Sequence, residues 1–129
     1  MRWLLLIPVM VVATAACGWG LCRAMNWNPG ITAMLVAGIA AAIASLAAGV
    51  PLVLTRSATQ AGVSQAALVT TLIHMMGCAG TAAVVLMTKQ PVGPAFTYWM
   101  FAFYVVTLVV LVTACVQAVK SAPVTPPRA

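Results

Sequence analysis

Residues 31–54 read ITAMLVAGIAAAIASLAAGVPLVL, 24 positions without a charge or a side-chain amide. A helix rises 1.5 Å per residue and the hydrocarbon core of a bilayer is about 30 Å thick, so roughly 20 apolar residues suffice for one crossing. The stretch is therefore expected to be a membrane-spanning helix. Asn26-Trp27-Asn28-Pro29-Gly30 supplies turn residues before it, and Thr55-Arg56-Ser57-Ala58-Thr59-Gln60 makes a polar connection after it.

Working outward, the same logic divides the whole chain. Arg2, Arg23, Arg56, Lys89, Lys120 and Arg128 are its only charged side chains, and they leave uncharged blocks of 20, 32, 32 and 30 residues between them up to Lys120. Each block is long enough for one span, and the longer ones leave room for a turn. With 64% of 129 residues hydrophobic, the chain is expected to be all-α, an integral membrane bundle of four transmembrane helices over residues 1–120. The helices are placed at about 3–25, 31–54, 61–87 and 96–119. The loop Lys89-Gln90-Pro91-Val92-Gly93-Pro94 breaks the third from the fourth, and the proline-rich tail 121–129 is expected to be disordered.

The formal net charge is +6 with no Asp or Glu. Single basic residues separated by whole helices, without an aromatic-basic patch, are topology signals, so no nucleic-acid partner is expected. Four spans put Arg2, Arg56, Lys120 and Arg128 on one side and Arg23 with Lys89 on the other. That bias points to both termini in the cytoplasm. Met1-Arg2 and the apolar run to Ala16, with Ala13-Thr14-Ala15, have the layout of a signal peptide. Apolar character continues through Trp19-Gly20-Leu21-Cys22, so helix 1 is expected to be retained, with Trp3 and Trp27 at its two membrane interfaces.

Helix 2 repeats small residues every fourth position: Ala37, Ala41, Ser45 and Gly49 in one row, Gly38 and Ala42 in another. Such a face lets a second backbone approach closely, so helix 2 is expected at the protein-facing centre with Pro51 bending its last turn. Helix 3 carries more polar side chains than any other helix. At 100° per residue Gln60, Ser64, Thr71, His74, Cys78 and Thr81 fall in one sector, which should face the bundle interior or a partner. Helix 4 opens with Phe96, Tyr98, Trp99, Phe101, Phe103 and Tyr104, a cluster suited to an interfacial anchor.

Without Asp or Glu there is no carboxylate acid/base pair, no Ser-His-Asp triad and no acidic magnesium or calcium site. Neither a phosphate-binding loop nor a zinc-protease motif occurs, so the chain is not expected to be an enzyme or to hold a cofactor. His74 is the one titratable group deep in a span and hence the default functional candidate; its plainer role is a neutral imidazole bonded to a neighbouring backbone or hydroxyl group. His74 and Cys78 share a helical face, and Cys17 with Cys22 of helix 1 would complete a soft-metal set for copper or zinc, or a disulfide to Cys78. Against metal, Met75 and Met76 point off that face and no Cys-x-x-Cys pair is present.

In this plan the chain resembles the small bacterial ATP synthase protein I family, accessory subunits of the F-type synthase. The resemblance covers most of residues 4–119. It rests on the N-terminal apolar span, the Gly/Ala-rich second helix ending Gly49-Val50-Pro51, the basic break at Arg56, Leu72-Ile73-His74-Met75-Met76-Gly77 at the centre of the third helix and Phe96-Thr97-Tyr98-Trp99 opening the fourth. The best-known members carry a Glu and a Lys in the third helix; here neither occurs, and His74 stands where some relatives have a basic residue. The resemblance implies a bacterial inner-membrane protein that helps to assemble or stabilise the rotary membrane ring or supplies its ion. Three roles stay open: accessory or assembly protein of such a complex, small oligomeric transporter or channel lined by the polar face of helix 3, and soft-metal handling protein. The lipid bilayer is a partner in all three, and a homo-oligomer fits the second.

Overall fold

A computed structural model describes residues 2–88 and 95–124. Four helices follow in chain order: α1 (Arg2–Ala24), α2 (Ile31–Leu54), α3 (Gln60–Met87) and α4 (Ala95–Ser121). Each is long and apolar enough to cross a membrane, and no strand occurs among the described residues. The chain is a multi-pass, all-helical membrane protein. Most of the proline-rich third loop and the end of the tail, residues 89–94 and 125–129, lie outside the described residues.

The helix ends follow local chemistry. Asn26 adopts the left-handed conformation with φ 55 just beyond α1. The Trp27 N–H bonds the Cys22 carbonyl at 2.8 Å and the Asn26 N–H bonds that of Arg23 at 3.3 Å, a Schellman closure that satisfies carbonyls the helix leaves open. Asn is one of the few residues besides Gly that tolerates this conformation. Gly30, at φ 61, then turns the chain into α2, and a Cβ there would meet the Ala95 Cβ at 3.2 Å. Both α1 and α2 run through their prolines, Pro8 and Pro51, without a break. Ser121 closes α4 instead of opening the tail, and the Pro123 carbonyl accepts the backbone N–H of Gln60 at 2.9 Å, which caps the start of α3.

Packing follows side-chain size more than hydrophobicity. α2 packs on all three other helices, whereas α1 touches only α2 and α4. The inward face of α2 is Ala33, Ala37, Gly38, Ala41, Ala44, Ser45, Ala48 and Gly49, while Leu35, Ile39, Ile43 and Leu46 face outward. Lipid solvates Ile and Leu as well as a protein interior does, so exposing them costs little, while small residues gain dispersion contacts by letting backbones approach. Of the small residues expected to pack inward, Ala42 is only half-buried; Ala33, Ala44 and Ala48 take up the rest of the face. Gly77 of α3 continues this fit, since a Cβ there would stand 3.1 Å from that of Ala44.

The aromatic start of α4 divides between two environments. Tyr98 and Phe101 are exposed, as an interfacial anchor requires, but Phe96, Trp99 and Phe103 turn inward. The Trp99 Nε1–H donates to the Pro29 carbonyl, and the indole stacks on Phe103 with centroids 5.7 Å apart. Gly18 of α1 lies against the same indole: a Cβ would come within 2.6 Å of it. Trp99 thus ties the loop after α1, the start of α4 and the Gly18 turn of α1 together at a single point.

Candidate functional site

Four polar side chains are fully buried among the described residues: Ser45 of α2, Thr70 and His74 of α3, and Thr107 of α4. Neither water nor lipid reaches them, so each must find a partner inside the protein or carry an unmet hydrogen bond worth about 1–3 kcal/mol. Ser45 is satisfied within its own helix, its hydroxyl donating to the Ala41 carbonyl at 2.6 Å.

His74 makes the contact that joins two helices. Its Nε2 lies 2.9 Å from the Thr107 Oγ1, and that hydroxyl lies 2.7 Å from the Phe103 carbonyl of its own helix. A hydroxyl has one proton; spent on the carbonyl, it leaves an oxygen lone pair to accept from the imidazole. The network therefore assigns the ring proton to Nε2 and an open lone pair to Nδ1. Tyr104 stacks on the ring with centroids 5.2 Å apart at 15°, and the Cys78 Sγ lies 3.8 Å from Nε2. Two atoms of this layer have no partner: His74 Nδ1 and Thr70 Oγ1.

The expected polar stripe of α3 is not a single surface. His74 and Cys78 are buried; Gln60, Ser64, Thr71 and Thr81 are half-buried. The last three turn their hydroxyls back to carbonyls one turn earlier: Ser64 to Gln60 at 2.8 Å, Thr71 to Ala67 at 3.0 Å and Thr81 to Gly77 at 2.7 Å. Hydroxyls satisfied in this way present no free donor to a path. The buried line runs instead through Val63, Ala66, Thr70, His74 and Cys78, a face turned toward Thr70 from the one expected. Thr107, Tyr104 and Thr70 are absent from the sequence reading of the site. Thr70 had a signal, its position four residues before His74, whereas the two α4 residues declare themselves only once the helices pack.

The soft-metal set does not assemble. No Cα of α1 lies within 8 Å of one in α3, so Cys17 and Cys22 are held away from His74 and Cys78 by the α2–α4 pair. A disulfide needs Cα atoms about 4.4–6.8 Å apart, and all four cysteines are free. Among the described residues no three His, Cys, Asp or Glu side chains come together where they could hold a metal. What remains chemically is one imidazole in a closed interior, with no acid, nucleophile or second ligand beside it beyond the Cys78 thiol. Protein-family models, curated proteins and solved structures were all compared with the chain, and none matches it.

Proposed function

We propose that this protein is a non-enzymatic accessory or assembly subunit of a larger membrane complex in a bacterial inner membrane, with both termini in the cytoplasm. The observation that carries the reading is the closure of the polar interior. His74 and Thr107 bond one another, Ser45 bonds its own helix, and the half-buried hydroxyls of α3 return to their own backbone. Apart from His74 Nδ1 and Thr70 Oγ1, these buried polar groups are spent on internal cohesion, which leaves the lipid-facing exterior to interact with. That exterior is broad and apolar on every helix.

The small-residue face of α2 is covered by this chain's own helices, so a partner would meet the outer faces instead. The F-type ATP synthase is the complex we propose, from the resemblance carried by Gly49-Val50-Pro51, the centre of α3 and Phe96-Thr97-Tyr98-Trp99. Purification of the tagged chain from its host in mild detergent, followed by native gel migration and identification of the subunits recovered, tests both levels of the proposal. Recovery with the synthase ring or membrane stator supports the full reading. Recovery with another complex removes the synthase, and recovery alone as a homo-oligomer removes the accessory role.

One observation favours a second reading, an oligomeric transporter or channel using α3. His74 Nδ1 and Thr70 Oγ1 are buried without partners, as they would be if a rearranged state engaged them. Flux through proteoliposomes that vanished in His74→Ala and in Thr70→Val would establish it.

A further inference from the structure

We propose that the protein holds one anionic phospholipid in a cleft lined by α1, α2, α4 and the start of α3, at the bundle end that carries Arg56. The cleft has a volume of about 450 Å³. Ile7, Val63 and Leu111 form apolar walls, and Arg56, Gln117 and Ser121 line its outer part. Along α4 it extends from Val110 to Ser121, roughly 16 Å at 1.5 Å per residue, which spans the headgroup region and the upper part of an acyl chain.

This order of groups matches a phospholipid placed upright in the bilayer: acyl chain against the aliphatic wall, phosphodiester at the guanidinium. Charge argues for an anionic headgroup. The chain has no Asp or Glu to neutralise Arg56, and Arg2 and Lys120 lie at the same end of the bundle. A guanidinium offers paired donors in a fork that fits phosphate oxygens, and the Gln117 amide adds a donor beside it, while the Ser121 hydroxyl is spent on the Gln117 carbonyl at 2.8 Å. Basic recesses between spanning helices bind anionic headgroups for these reasons. No Cα of α1 lies within 8 Å of one in α3, so a lipid in the cleft would also bridge two helices whose backbones stay apart.

The test is native mass spectrometry of the full chain in non-ionic detergent, titrated with phosphatidylglycerol or with phosphatidylcholine of the same acyl chains. Phosphatidylglycerol should be retained at one copy with about fivefold preference, the effect of one basic residue near a headgroup. Arg56→Gln should abolish the preference, Ala114→Phe should block retention of both lipids by filling the apolar part, and Arg23→Gln at the opposite end should change nothing. Helical content and gel-filtration position confirm that each variant is folded. Equal retention of the two lipids, equal loss of preference in Arg23→Gln, or displacement of the lipid by millimolar inorganic phosphate would each overturn the proposal.

Discussion

α1 and α2 have 23 and 24 residues, each contains one proline, and both are predominantly apolar between the Arg2 and Arg23 ends of α1 and along all of α2, yet they occupy opposite kinds of position. α2 buries a continuous face against three helices; α1 lies in the groove of α2 and α4 with most of its surface outward. Hydropathy does not separate them, because the membrane rewards apolar side chains on either side of the protein surface. Size does. α2 presents Ala, Gly and Ser where other backbones come close, while α1 is rich in Leu and Val and admits the Trp99 indole at Gly18.

The contrast can be broken by substitution, beginning with its strongest point. Ala41→Leu inserts three heavy atoms at a position with 0% exposure and should destabilise the bundle by about 3 kcal/mol, read as a fall in the thermal midpoint in detergent. Gly18→Val drives a side chain into the Trp99 indole, which is held by Pro29 and Phe103, and should cost about 2 kcal/mol and make α1 more susceptible to protease. Gly20→Val, two residues along the same helix where a Cβ meets nothing, should leave both measurements unchanged. Thr107→Val removes the one side-chain hydrogen bond between α3 and α4 and should cost about 1 kcal/mol, against no change for Thr113→Val, whose hydroxyl serves only its own helix. Ile39→Ala on the lipid face of α2 should shift stability by less than about 0.5 kcal/mol, since lipid fills the space.

How much of this could be read in the sequence depends on whether the cause is local. The spacing of six basic residues defines four spans, and the turn residues at 26–30 and 55–59 place the helix ends within two or three positions, because both signals lie along the chain. Ser121 fell outside the expected fourth helix because a serine beside a proline-rich tail gives no stop or start. The small face of α2 was visible as rows of every fourth residue, but such rows are narrower than the surface that two neighbouring helices cover, so Ala33, Ala44 and Ala48 were missed. His74 stood out as the only ionisable group deep in a span. Its partner Thr107 is 33 residues away in sequence, and one threonine among several in α4 carries no mark of that contact. Cys17 and Cys22 looked able to reach Cys78 because depth along the membrane normal can be read from a sequence, whereas the order of helices around a bundle cannot.

The central claim is that small and polar side chains of α2 are sealed inside while its large aliphatic side chains face lipid. Nuclear magnetic resonance of the unsubstituted, isotope-labelled protein in lipid nanodiscs tests it most directly, through paramagnetic broadening of the signals of residues 37–48. Lipid-dissolved oxygen should reach Ile39, Ile43 and Leu46, repeating with the helical period, and neither oxygen nor a water-soluble nickel chelate should reach Ala37, Ala41, Ser45 and Ala48. Access of the chelate at Ala41 or Ser45 would reveal a water-filled path through the bundle and contradict the closed interior.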